Sequence, residues 1–127
     1  MPAPRSSRKS PPTAEPEVRF RPRVIHRGEI ALGPGKSDLL AAIEEHGSIS
    51  RAARALGMSY MRAWTLVKIM NLSFCEPLVA VDRGGPRGGA AHLTPLGREV
   101  LKLYRGMVAR SEAATRDLWK KLRRLLK

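Results

Sequence analysis

Residues 47–72 read GSISRAARALGMSYMRAWTLVKIMNL, and the placement of glycine, serine and alanine in that stretch decides the fold. Gly47 and Gly57 suit the left-handed residue that follows a helix, while Ser48 and Ser59 stand where the next helix needs an N-cap. Two helices are predicted, 49–56 and 60 to about 72, with a turn of a few residues between them. Ala52 and Ala53 allow a close crossing, Leu56 and Met58 flank it, and Ala63 and Leu66 anchor the second helix from behind. Helix, short glycine turn, helix is the geometry that lays a recognition helix in the DNA major groove. Outward on that helix stand Ser59, Tyr60, Met61, Arg62, Thr65 and Lys68. Hydroxyl and cationic groups of this kind meet phosphates and base edges. Arg51 and Arg54 on the preceding helix are placed to hold the backbone.

Upstream, Leu39, Leu40 and Ile43 recur at helical spacing over 36–46, behind the breaker Gly33-Pro34-Gly35. Val18 and Phe20 alternate with Arg19 and Arg21, and Arg27-Gly28 offers a turn between Val24-Ile25 and Ile30-Leu32. A short hairpin or two edge strands is expected there, Pro22 favouring an edge. Residues 1–17 hold five prolines and read as a disordered basic tail. Downstream, the β-prone run 78–81, the Gly84–Gly89 loop and Ala91-His92-Leu93 predict a hairpin with a glycine-rich tip. Such a tip lets backbone N–H groups approach phosphate, and Arg83 and Arg87 add charge.

Thr94-Pro95 is a helix start, Thr as cap and Pro at the first helical position. Leu96, Val100, Leu103, Met107, Ala114, Leu118, Leu122 and Leu125 then run almost to the C-terminus, interrupted by the helix-weakening Gly97 and Gly106. One helix of that extent is roughly 45 Å long. It exceeds so small a domain, so Leu103, Met107, Ala114, Leu118, Leu122 and Leu125 are expected to meet a partner chain. The basic residues Lys120, Lys121, Arg123, Arg124 and Lys127 read as the solvent face of that helix, the alternatives being contact with membrane or flanking DNA.

Composition narrows the function. The 127 residues carry a formal net charge of +13, with 24 basic against 11 acidic side chains. Residues 48–72 hold four basic and no acidic residues. An anionic partner follows, double-stranded DNA before any membrane. Cys75 stands alone and His26, His46 and His92 lack ligand spacing, so neither a disulfide, a metal nor another cofactor is expected. No apolar run reaches membrane length and no signal-peptide core is present, which predicts a cytoplasmic, nucleoid-associated protein. Gly33-Pro34-Gly35-Lys36-Ser37 imitates a phosphate loop, but its first glycine position is Ile30. No nucleophile–base pair or carboxylate pair points to catalysis, so no enzyme is expected. Trp64 reads as core beside Ala63 and Leu66, and Tyr60 as either a phosphate contact or a packing residue.

Gly47-Ser48-Ile49-Ser50, Ser59-Tyr60 with Ala63-Trp64, Asn71, the Gly84–Gly89 run and Leu93-Thr94 with Gly97 together resemble the DNA-binding domain of ModE-type molybdate-responsive regulators, over roughly residues 24–110. LysR-type regulators share the Gly-Ser-Ile-Ser and Leu-Thr-x-x-Gly elements and rank second. The resemblance implies a mostly α fold with a small β component (α+β), a winged helix-turn-helix whose long C-terminal helix dimerises on a palindromic operator. The expected organisation is a tail at 1–17, a DNA-binding domain at 18–94 and a dimerisation helix at 95–127. Family members continue into molybdate-binding β-barrels, for which this chain has no counterpart, so molybdate binding by it is not expected. Pro86 stiffens a tip where the family more often carries lysine. The expected function is a sequence-specific regulator linked to molybdenum metabolism. The alternatives are a sequence-neutral architectural protein and an oxyanion sensor at the dimer interface.

Overall fold

The computed structural model describes residues 15–82 and 89–127. The tail expected over 1–17 therefore lies almost wholly outside the described residues, as do Arg83 and Arg87. In chain order the elements are β1 (Val24–His26), β2 (Glu29–Leu32), α1 (Pro34–His46), α2 (Ile49–Leu56), α3 (Tyr60–Ser73), β3 (Val79–Val81), β4 (Ala91–Leu93), α4 (Pro95–Ala114) and α5 (Arg116–Arg123).

Each boundary in the first half has a local cause. Arg27 (φ 55°) and Gly28 (φ 79°) turn β1 into β2, and positive φ at both central residues is what a tight hairpin with right-twisted strands requires. Pro34 opens α1 as its first residue, two positions before the expected start, because a missing N–H costs nothing there. Ser48 caps α2 by accepting from the Arg51 N–H at 3.0 Å, and Ser59 caps α3 by accepting from the Arg62 N–H at 3.1 Å. Between them Gly57 sits at φ 70°, where an L side chain is disfavoured.

The core lies where α1, α2 and α3 meet the second hairpin and α4. Leu39, Leu40, Ile43, Ala52, Ala63, Val67, Met70, Leu78 and Leu93 are fully inaccessible. Ala52 and Ala53, expected at the close crossing of the helix pair, and Ala63, expected as an anchor of the second helix, are all buried in this core.

β3 and β4 pair antiparallel, Val79 opposite Leu93 and Val81 opposite Ala91. The Ala91 N–H donates to the Gly47 carbonyl at 2.8 Å, tying this hairpin to the α1–α2 turn. Its other attachment is the Asn71 side chain near the end of α3. Asn71 Oδ1 accepts from the N–H groups of Leu78 (2.8 Å) and Val79 (3.1 Å), and Nδ2 donates to the Val79 carbonyl (3.1 Å). Replacing Asn71 by leucine leaves two N–H groups and a carbonyl of buried residues without partners, each costing about 1–3 kcal/mol. We expect Asn71→Leu to lose about 3 kcal/mol in urea denaturation. Asn71→Asp, which keeps the acceptor, should lose less; equal losses would show that packing, not hydrogen bonding, holds the hairpin.

The C-terminal run differs from expectation. In place of one helix there are two, α4 and α5, bent at Thr115 (φ −106°, ψ 8°). The Thr115 hydroxyl donates to the Ser111 carbonyl at 2.8 Å, competing with the backbone bond to the same oxygen, and such back-bonding bends helices. The Trp119 N–H still reaches the Thr115 carbonyl at 2.8 Å, so the path turns without a gap.

α4 also has a core-facing row that the stripe read from the sequence does not name. Gly97, Leu101 and Tyr104 face inward, with Val108 half-buried behind them. Of the expected stripe only Leu96 and Val100 are substantially covered, while Leu103 and Met107 are 60% and 50% exposed. The Tyr104 hydroxyl donates to the Pro22 carbonyl at 2.8 Å and pins the segment before β1 on α4. Burial raises the Tyr104 pKa, with Arg21 and Arg23 opposing and Asp38 reinforcing.

Candidate nucleic-acid interface

The contact residues expected on the two capped helices are all exposed. Arg51 and Arg54 are exposed on α2, and Tyr60, Arg62, Thr65 and Lys68 are exposed on α3. Among the described residues none of Arg51, Arg54, Arg62 and Lys68 is ion-paired to a carboxylate. Four unneutralised cations on adjoining helices form a field that attracts phosphate. Ser59 is exposed as well, but its oxygen is already engaged in capping; its hydroxyl proton is what remains for a ligand.

Helical spacing promotes Met61, read from the sequence as outward but not as a contact. Met61, Thr65, Lys68 and Leu72 fall at i, i+4, i+7 and i+11, and Met61 and Leu72 are 70% and 86% exposed. Apolar side chains on such a face can meet thymine methyl groups, so Met61 joins the candidates. Its signal was present, since position 61 shares its row with 65 and 68. Trp64 is half-buried against the core, in keeping with the packing reading, and Tyr60 is nearly half exposed.

Lys36, the lysine of the imitation phosphate loop, has a different task. It lies in the first turn of α1, almost covered, and its ammonium donates to the Ile30 carbonyl of β2. Burial lowers its pKa; Glu29 opposes that shift and Arg62 reinforces it. Ser37 donates to the Pro34 carbonyl at 3.1 Å. Both polar groups are committed to holding the chain.

At the wing base, Thr94 caps α4 by accepting from the Gly97 N–H at 3.0 Å, and its hydroxyl donates to the Pro77 carbonyl at 2.8 Å. The Arg98 guanidinium donates to the Leu93 carbonyl at 3.0 Å. These bonds, with those of Asn71, fix where the wing leaves the body; the tip residues 83–88 lie outside the described residues.

Residues 37–98 match the model of the family described as bacterial regulatory helix-turn-helix protein, lysR family. The chain carries a bacterial regulatory helix-turn-helix domain. It is 39% identical over 92 residues to the molybdenum transport protein ModE of Azotobacter vinelandii, covering 72% of this chain and 34% of that protein. It is 43% identical over 81 residues to the molybdenum-pterin-binding protein MopB of Rhodobacter capsulatus, covering 64% and 30%. The DNA-binding transcriptional dual regulator ModE of Escherichia coli K12 is 39% identical over 71 residues, covering 56% and 27%. The chain thus spans about a third of the length of these relatives. Both resemblances read from the sequence, ModE-type and LysR-type, are found. Among the described residues no helix is long and apolar enough to cross a membrane.

The expected dimerisation residues are all exposed. Leu118, Leu122 and Leu125 are 66%, 56% and 80% accessible, and α5 buries no residue. Together with Leu103, Met107 and Ala114 they leave an apolar stripe on the outer side of α4 and α5.

Proposed function

We propose that this chain is a sequence-specific transcriptional regulator of the ModE-like winged-helix type, binding a palindromic operator in double-stranded DNA as a homodimer. It acts by binding rather than by catalysis, in the cytoplasm and on the nucleoid, in the regulation of molybdenum metabolism. The observation that carries the reading is that Arg51 and Arg54 on α2 and Arg62 and Lys68 on α3 are exposed and, among the described residues, not ion-paired. The names printed for the relatives supply the link to molybdenum. The exposed stripe from Leu103 to Leu125 supports the homodimer, since a monomer leaves that much leucine surface in water.

The test is selection of duplexes from a random pool by the purified chain, followed by footprinting of the enriched sequence. The reading expects an inverted repeat with half-site centres roughly 34–36 Å apart, one turn of DNA, or a multiple of it. Enrichment of no sequence, with uniform protection along the duplex, would leave the architectural alternative in its place.

A further inference from the structure

We propose that the β1–β2 hairpin is a second wing, which grips the DNA backbone beside the first turns of α3 through Arg27. The inference rests on the DNA-binding reading and extends it to an element that reading does not use.

Both hairpins are attached to the recognition helix. Asn71, near the C-terminal end of α3, holds β3. β2 packs on α3 as well; Lys36, which bonds the Ile30 carbonyl, has Arg62 among the charges acting on it, and this points to a contact towards the N-terminal end of the helix. Arg62 is in the first turn of α3, the part of a recognition helix that enters the groove. β2 runs from the buried Leu32 outward past the exposed Ile30 to the turn, so the tip projects from the body.

What stands at the tip supports a phosphate contact. Arg27 is exposed, and among the described residues its guanidinium has neither a hydrogen bond nor an ion pair. Glu29, the carboxylate of the hairpin, forms no ion pair with Arg27. Arg27 is also the single non-glycine residue with positive φ among those described, at a turn position where Asn or Gly sits without strain. An arginine kept in a conformation that disfavours it is explained when its side chain is used.

That conflict yields a clean experiment, because Arg27→Asn removes the charge while suiting the turn better. The probe is the duplex enriched from the random pool, titrated at several salt concentrations with wild type, Arg27→Asn and Arg27→Lys. The melting temperature of Arg27→Asn should equal or exceed that of wild type. Its affinity should fall about 3- to 10-fold at low salt, and the slope of log affinity against log salt should flatten by about 0.9 per protomer, the loss of one phosphate contact. Arg27→Lys should restore most of the slope, and the Arg27→Asn footprint should lose protection outside each half-site. An Arg27→Asn variant with the wild-type slope and footprint overturns the second wing and leaves the DNA reading intact. A wild-type chain that enriches and binds no duplex overturns the DNA reading, and the wing falls with it.

Discussion

Gly97→Ala should destabilise the protein by about 3 kcal/mol or more, although alanine is the better helix former. In an exposed helix the exchange stabilises by about 1 kcal/mol. Here a Cβ on Gly97 would lie 2.1 Å from the Leu78 carbonyl oxygen and 3.0 Å from its carbon, a contact with backbone that no rotamer change relieves. The carbonyl cannot swing aside cheaply, because it accepts from the Thr94 N–H at 2.9 Å and lies 3.3 Å from the Thr94 hydroxyl. The residue that carries it, Leu78, is fully buried and is itself held by Asn71. Either α4 lifts off the base of the wing or the hairpin shifts, and both open the core. Gly106 provides the internal control. It lies in the same helix with nothing within 4 Å of its would-be Cβ, so Gly106→Ala should stabilise by about 0.5–1 kcal/mol. Thermal denaturation of the two variants should therefore move in opposite directions from wild type. Two shifts of the same sign would mean that α4 does not sit against Leu78.

The contrast between these glycines shows how far the sequence can be read. Both look like weak points of a helix, and only the three-dimensional approach of Leu78 separates them. Where the determinant is local, the reading holds: the ends of α1, α2 and α3 follow from Gly47, Ser48, Gly57 and Ser59, each acting on backbone within four residues. The start of α1 was read two residues late because Gly33-Pro34-Gly35 looks like a breaker, while Pro34 in fact initiates. The bend at Thr115 left no mark, since threonine is only mildly unfavourable in a helix and its hydroxyl could have pointed to solvent.

The split of α4 into an inner and an outer row was hidden for another reason. Leu101 and Tyr104 lie one row round from Val100 and Leu103, so an apolar band two rows wide satisfies helical periodicity for either choice of inner face. Only the position of Leu78 and Pro22 decides between them. For the candidate interface, charge and spacing on α2 and α3 name the candidates, and the structure adds that they are exposed. The parts that aim the wing, Asn71, Thr94 and Gly97, act across the fold. Their geometry was unreadable even though their residues marked the family resemblance.

The outer row carries the largest expected effect on binding. Leu118→Gln together with Leu122→Gln should turn a dimer into a monomer and weaken binding to the palindrome by about 10²- to 10⁴-fold. Glutamine keeps the charge and the helix propensity, so neither phosphate attraction nor α5 itself is altered. Because α5 buries nothing within the chain, the monomer should still fold cooperatively, losing only the concentration-dependent part of the melting temperature that dimerisation adds. A dimer contains four of these leucines, and at ~1.5 kcal/mol each their loss removes about 6 kcal/mol, near 10⁴-fold in dimer dissociation. Without the pairing, the second half-site is no longer met at the high effective concentration that the linked domains provide. Affinity for a duplex with a single half-site should be nearly unchanged, which separates lost pairing from a damaged recognition helix. Light scattering and titration against the two duplexes read these effects independently. A double variant that stays dimeric and holds the palindrome as wild type does would move the partner surface off this stripe. The leucines of α5 would then need another apolar contact to account for their exposure.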